Sequence, residues 1–231
     1  MSQLQNRTIL VVGATGAIGA SLASQLKNQG AAVYGTASSA ESSVRLSENL
    51  NLRLLLNLED SNSIAVLANY LLAQAAPLDA IILASGLVGF GSIAETPDGA
   101  LDRLLKVNAT GQIDLAQRLL PKLLDSALAE REPFVVSLSG VIAEAPMPGL
   151  SAYSASKTAL HGYSQAAAKE LRKSRIRWMD ARPGHTESGL AGRAIFGTAP
   201  NFGEGMTVER VTSRIIQGIL DDERDLPSSA F

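Results

Sequence analysis

The feature that most constrains this chain is Gly13-Ala14-Thr15-Gly16-Ala17-Ile18-Gly19, set between an apolar run at residues 8–12 and a helical pattern at 17–29 with Ile18, Leu22 and Leu26 on one face. Glycine permits a tight turn, lets the backbone approach a pyrophosphate, and lets the helix pack closely on the strand before it. The helix N-terminus then offers free N–H groups to the anion. A glycine trio alone says little, but this strand–turn–helix setting predicts dinucleotide binding, with Gly13, Thr15, Gly16, Ile18 and Gly19 around the pyrophosphate.

The alternation continues along the chain. Residues 32–36, 53–57, 80–84, 134–138 and 176–181 read as further strands. Helical patterns occupy 42–50 (weakly), 62–74 with Ser61 as its cap, 101–107, 111–125, 152–172 and 208–220. This order predicts right-handed crossovers and an α/β fold, a doubly wound parallel Rossmann sheet covered on both faces. No repeat or linker divides the chain, so residues 1–231 are expected to form one dinucleotide-binding domain. Residues 185–206 form the one long connection; it is glycine-rich, carries Phe196 and Phe202, and is expected to be a mobile substrate lid.

Composition narrows the partners. The 231 residues are 46% hydrophobic and 18% charged, enough to bury a core. The 20 basic and 22 acidic residues are mixed, and the small cluster Arg172, Lys173, Arg175, Arg177 reads as a helix end rather than a nucleic-acid surface. There are no cysteines, so thiol chemistry and disulfides are excluded. The two histidines, His161 and His185, are too far apart to suggest a metal site and read as surface or loop residues; no metal is expected. The polar start, residues 1–8, lacks an apolar signal core, and no apolar run reaches the ~18 residues of a membrane span. A cytoplasmic protein is expected, without membrane or nucleic-acid partners.

The second strand decides the cofactor variety. A carboxylate about 20 residues beyond the glycine turn would hold a ribose 2′-hydroxyl. Here Val33-Tyr34-Gly35-Thr36-Ala37-Ser38-Ser39 carries no acid, and the Ser38 hydroxyl can donate to a 2′-phosphate. NADP is therefore favoured over NAD. Arg45 either reaches that phosphate or is simply solvated.

Tyr153-Ser154-Ala155-Ser156-Lys157 opens the long helix. Residues four apart share a face, so phenol and ammonium point into one space. A free phenol titrates near ~10, and a nearby ammonium favours the phenolate, making proton exchange with an alcohol or carbonyl feasible. Together with the glycine turn, this pair resembles the short-chain dehydrogenase/reductase family over nearly the whole chain. Val107-Asn108-Ala109-Thr110-Gly111 is similar to the family's active-site asparagine segment, which implies that Asn108 holds a proton-relay water. Arg182-Pro183-Gly184-His185-Thr186 is similar to its Pro-Gly segment, which implies Pro183 and Gly184 under the nicotinamide and Thr186 at the carboxamide. Asn57-Leu58 resembles the adenine-contacting pair, and the loop Ala84, Ser85, Gly86 is placed against the cofactor by the same likeness.

The resemblance implies an NADP(H)-dependent oxidoreductase moving hydride between nicotinamide and a carbonyl or secondary alcohol. Asn108, Ser139, Tyr153 and Lys157 are the implied catalytic residues, Lys157 also binding the ribose. Three departures qualify it. Leu83-Ala84-Ser85-Gly86 replaces the usual Asn-Asn-Ala-Gly, so support for the sheet must come from elsewhere. An ungapped count from Tyr153 puts Gly140 in the catalytic serine's place, with Ser139 one residue early; either an inserted residue in 144–150 lets Ser139 polarise the substrate oxygen, or the site lacks that donor. The end of the chain, residues 225–231, reads as lacking the family's seventh strand, which favours a homodimer over a tetramer. Two alternatives stand beside this reading. One is a nucleotide-sensing or scaffold protein with a degenerate site; the other is a sugar-nucleotide epimerase, for whose larger substrate domain there is no room. The lid residues Leu190, Ile195, Phe196 and Phe202 suggest a hydrophobic substrate.

Overall fold

A computed structural model describes residues 4–231; residues 1–3 of the polar opening stretch lie outside the described residues. The strands are β1 (Thr8–Val12), β2 (Ala32–Ala37), β3 (Leu52–Leu55), β4 (Ala80–Leu83), β5 (Phe134–Leu138), β6 (Arg177–Ala181) and β7 (Asp225–Leu226). They form one parallel sheet in the order β3-β2-β1-β4-β5-β6-β7. In β1 every residue is buried, because successive side chains enter opposite cores. Ile9 and Val11 join Ile82 and Val136 on one face. Leu10 and Val12 join Ile81, Leu83 and Val135 on the other.

Each core is closed by helices whose apolar residues recur at helical spacing. On the first face α1 (Ala17–Asn28) buries Leu22 and Leu26, and α7 (Val208–Leu220) buries Val211, Ile215 and Ile219. These two helices touch through a polar seam in which Ser21 Oγ lies 2.8 Å from Thr212 Oγ1. On the second face α3 (Ser61–Ala73) and α5 (Gly111–Leu128) bury Ile64, Leu67 and Leu71 with Leu115, Leu119 and Leu123. Truncating a fully buried leucine here to alanine costs about 2–5 kcal/mol. The last long helix is α6 (Ser151–Glu170).

Five sequence expectations change. The cap of α3 is Asp60 and not Ser61: Asp60 Oδ1 accepts from Asn62 N–H at 2.9 Å, and Ser61 is already helical. The weak helix at 42–50 shrinks to α2 (Ala40–Ser43), capped by Ser39 and Ser42, because the serine- and asparagine-rich stretch beyond it favours turns over helix. The helices expected at 101–107 and 111–125 join end to end: α4 (Ala100–Leu105) runs through a π-helical turn, Lys106–Thr110, into α5. The seventh strand exists as the two-residue β7 beside β6, so the premise for preferring a dimer falls. Short as it is, β7 is held by the fully buried Leu226 and by Arg182, whose Nη1 and Nη2 donate to the two Asp225 carboxylate oxygens at 2.7 and 2.6 Å. His161, read as a surface or loop residue, is instead largely buried, with Nδ1 2.7 Å from Asp180 Oδ2.

Among the described residues no helix is long and apolar enough to cross a membrane. No cluster of histidine and acidic residues fit to hold a metal occurs among them either.

Candidate active site

The order of strands reverses between β1 and β4, and a crevice opens beyond their carboxyl ends at such a switch point. The loops leaving these strands meet there. Gly13 has φ +84°, and a Cβ on it would lie 2.6 Å from Ser85 Oγ and 2.9 Å from Ser85 N. At Gly19 a Cβ would come within 2.2 Å of the Gly13 carbonyl oxygen, so only glycine lets α1 sit on the turn. Gly13 N–H donates to Thr36 Oγ1 at 3.0 Å, anchoring the turn to the end of β2. The N-terminus of α1, at Gly16, has no side-chain cap and no acid in its first turn. Its N–H groups and dipole thus face an anion-ready space.

That space is a cavity of about 560 Å³ running from the glycine turn to Tyr153. At its near end the cavity is lined by Gly13, Thr15, Gly16 and Ile18, then by Ser38, Asn57 and Leu58. Ala84, Ser85 and Gly86 form its middle, with Pro183, Gly184 and Thr186 opposite. Ser139, Tyr153 and Lys157 lie at the far end. Two predicted residues stand behind the wall. Gly19 supports the turn from below, and Asn108 is fully buried. Arg45 lines the cavity together with Ser38.

The middle loop is braced from α5 and the π turn. Asn108 Nδ2 donates to Leu87 O and Ser156 Oγ, both at 2.9 Å, while its Oδ1 accepts from Leu87 N–H at 2.8 Å. Gln112 Nε2 donates to Ser85 O at 3.1 Å and Val107 O at 2.8 Å. These bonds support the loop that carries Leu83-Ala84-Ser85-Gly86. The Asn108 side chain is therefore a clamp on the loop, with both of its amide protons already placed.

At the chemical end Lys157 is buried and its Nζ donates to Leu138 O at 2.7 Å. Burial pushes its pKa down to about 8, the Asp180 carboxylate opposing that fall. Burial also pushes the Tyr153 phenol up to about 12. Desolvation alone causes that rise, and the expected lowering by Lys157 does not accompany it. Ser139 Oγ donates to Asp180 Oδ2 at 2.5 Å, so its single proton is committed to a carboxylate. As a donor to a substrate oxygen, the role expected of it, Ser139 is already occupied. Gly140, at φ +76°, stands beside it with the Pro183 carbonyl oxygen 3.7 Å from where a Cβ would be.

Beyond Tyr153 the cavity is apolar. Val88, Phe90, Ile142 and Leu150 cluster with Tyr153, Leu190 and Phe202. Phe202 meets Phe90 at 6.0 Å and the His185 ring at 5.1 Å between centroids. The 185–206 segment is pinned at its neck, where Met206 N–H donates to His185 O and Glu187 N–H to Met206 O. It is also fastened across the cavity: Ile195 N–H donates to Val88 O at 2.8 Å and Phe90 N–H to Phe196 O at 3.0 Å.

Sequence reasoning missed Thr36, Gln112 and Asp180. Only Asp180 left a signal: an acid inside a strand otherwise apolar at its end, since buried carboxylates are rare unless paired.

Residues 7–195 match the short chain dehydrogenase family. A dehydrogenase/reductase SDR family protein 7-like from Anopheles gambiae is 27% identical over 241 residues, covering 96% of this chain and 75% of that protein. The fold is shared with a short-chain dehydrogenase from Sphingobium yanoikuyae in complex with NADPH, at TM-score 0.80 and 24% identity, over 96% of this chain and 86% of the other. It is shared as well with a 3-ketoacyl-(acyl-carrier-protein) reductase from Brucella melitensis complexed with NADH, at TM-score 0.86 and 17% identity, over 98% and 99% of the two chains. None of these matches supports the nucleotide-sensor alternative. The chain belongs to the short-chain dehydrogenase family of oxidoreductases.

Proposed function

We propose that this protein moves hydride between NADP(H) and an apolar ketone, aldehyde or secondary alcohol. The observation that carries the reading is the continuity of one cavity from an uncapped helix N-terminus at Gly16 to Tyr153 and Lys157. The residues fit a dinucleotide, because the turn is held by contacts at Gly13 and Gly19 that any Cβ would abolish, while at Gly16 the nearest atom to an added Cβ is 3.5 Å away.

Gly13, Thr15, Gly16, Ile18 and Gly19 form the pyrophosphate cradle. Ser38, joined by Arg45, takes the 2′-phosphate; Asn57 and Leu58 flank the adenine. Ala84, Ser85 and Gly86 support the nicotinamide ribose from one side, and Pro183, Gly184 and Thr186 hold the nicotinamide from the other. When bound, the cofactor supplies or accepts the hydride. Tyr153 gives its proton to the substrate oxygen during reduction. A phenol pushed up by burial stays protonated through the neutral range, the form that a general acid needs. Lys157 offsets the negative charge left on Tyr153 and binds the ribose. Asn108 keeps the Leu87 loop in place beside them.

No serine hydroxyl is assigned to the substrate oxygen, because Ser139 donates to Asp180. The apolar wall of Val88, Phe90, Ile142, Leu150 and Phe202 excludes water and selects the substrate's apolar body. Residues 185–206 act as the lid over it, and the protein works in the cytoplasm.

The test is direct. Calorimetric titration with NADPH and NADH should show tighter binding of NADPH, and NADPH oxidation should accompany reduction of apolar ketones or aldehydes. Tighter NADH binding would overturn the cofactor assignment, and reduction of polar sugars in preference to apolar carbonyls would overturn the substrate class.

A further inference from the structure

Beneath the far end of the cavity lies a polar cluster that the proposed chemistry leaves unused. Asp180, on β6, is almost fully buried yet accepts four hydrogen bonds. Ser137 Oγ donates to Oδ1 at 2.7 Å. Oδ2 takes Ser139 Oγ at 2.5 Å, His161 Nδ1 at 2.7 Å and Arg182 Nη1 at 3.1 Å. A buried carboxylate survives desolvation only with such partners. What matters for chemistry is where its charge is directed.

Arg182 is the nearest permanent cation, but it is shared. It also pairs with Glu144 and, in bidentate fashion, with Asp225. Three carboxylates face one guanidinium, so Asp180 keeps negative charge that Arg182 does not cancel. Two further cations can answer it, both from α6 and one turn apart: Lys157 and, when protonated, His161. The linkage through β5 is short. Lys157 Nζ donates to Leu138 O at 2.7 Å, and the next residue, Ser139, donates to Asp180.

We propose that Asp180 is a positioning residue for the reaction: it keeps the buried Lys157 in its ammonium form and fixes the Ser139 hydroxyl away from the substrate oxygen, with His161 as its partner on the solvent side. This rests on the oxidoreductase reading above. The titratable and charged groups around Lys157 are Tyr153 and His161 on its own helix, Asp180 and Arg182 from β6, and beyond Arg182 the carboxylates of Glu144 and Asp225. Asp180 is the anion among them whose charge acts on Lys157, across space and not by contact, and it opposes the loss of the proton that burial promotes. Lys157 is active as a cation, so its contribution is present below its pKa and is lost as pH rises through about 8. Without Asp180 that loss comes at lower pH.

Trace acetylation of the intact protein across pH, read by peptide mass spectrometry, gives the titration midpoint of Lys157 without any turnover. Asp180→Asn should lower that midpoint by about 1 unit. The alkaline limb of kcat for NADPH-dependent reduction should move down by the same amount. His161, though largely buried, keeps 17% of its side chain exposed, which gives His161→Arg a way out to solvent if Asp180→Asn fails to fold. By placing a permanent cation on Asp180 it should shift the midpoint in the same direction by a smaller amount. An unchanged midpoint in the folded variants would overturn the proposal, and so would a shifted midpoint with an unmoved rate limb. If no substrate is turned over at all, the oxidoreductase reading fails, while the labelling midpoint still decides whether Asp180 governs Lys157.

Discussion

The two ends of the cavity are built differently. The cofactor end is made by backbone: Gly13 and Gly19 bring main-chain atoms to within distances no side chain could share, and Thr36 ties the turn to β2. The substrate end is made by side chains from separate parts of the chain, with Val88 and Phe90, Ile142 and Leu150, and Leu190 and Phe202 meeting only in the folded state. A backbone-built site tolerates almost no change and does one thing. A side-chain-built site can be altered residue by residue without losing the fold, so substrate choice can vary while cofactor chemistry stays fixed.

The largest effect should fall where the two ends meet. Tyr153→Phe should leave NADPH affinity intact and lower turnover by about 10²–10⁴-fold, the range for a lost general acid. If NADPH binding fell in step with turnover, Tyr153 would belong to the cofactor end instead. Next in size comes the backbone itself. Gly19→Ala sets a methyl group 2.2 Å from the Gly13 oxygen, so NADPH affinity should fall by well over ~10-fold as the turn shifts. Gly192→Ala in the lid meets nothing within 4 Å and should leave that affinity alone. Equal effects, measured by calorimetry, would erase the contrast.

A smaller change probes specificity within the cofactor end. Ser38→Asp puts a carboxylate into the cavity lining beside Arg45 and should reverse the NADPH preference, by about 10-fold for one repelled phosphate at partial exposure. An unreversed preference would place 2′ recognition on Arg45 alone. The smallest effect belongs to the apolar wall. Phe202→Ala should raise KM for an apolar ketone a few-fold, with cofactor affinity unchanged. Hydrogen exchange should show 185–206 as the least protected segment of the apo protein, gaining protection when cofactor and ligand bind; equal protection in both states would count against a lid.

The same contrast explains what the sequence could reveal. Gly13 to Gly19 act through local backbone, so the turn and its helix are legible in seven consecutive residues, and the Tyr153–Lys157 pair is legible for the same reason. The unbroken apolar run in residues 8–12 fits a strand buried on both faces, and the alternation of such runs with helical patterns makes the two-sided sheet legible. By contrast, nothing near Ser139 announces that its proton goes to a carboxylate 41 positions on. The two-residue β7 is hidden likewise, since one buried leucine, Leu226, and an ion pair from Asp225 to the distant Arg182 make no periodic pattern. Gln112 looked like an ordinary helix position because its partners, Ser85 O and Val107 O, are main-chain atoms.

The π turn at Lys106–Thr110 has a consequence for the helical rod as a whole. An α-helix advances by about 100° per residue, so one extra residue in a turn rotates everything beyond it by roughly that angle. The rod from Ala100 to Leu128 is thus two screws cut out of phase: the first keeps Leu104 turned to α6, the second sends Leu115 and Leu119 to α3. Gly111 makes the phase slip possible, since its N–H reaches back to the Lys106 oxygen and a methyl group there would stand 2.4 Å from the Leu58 oxygen. Asn108 sits within the slipped turn, which aims it inward at the Leu87 loop rather than along either screw's packing face.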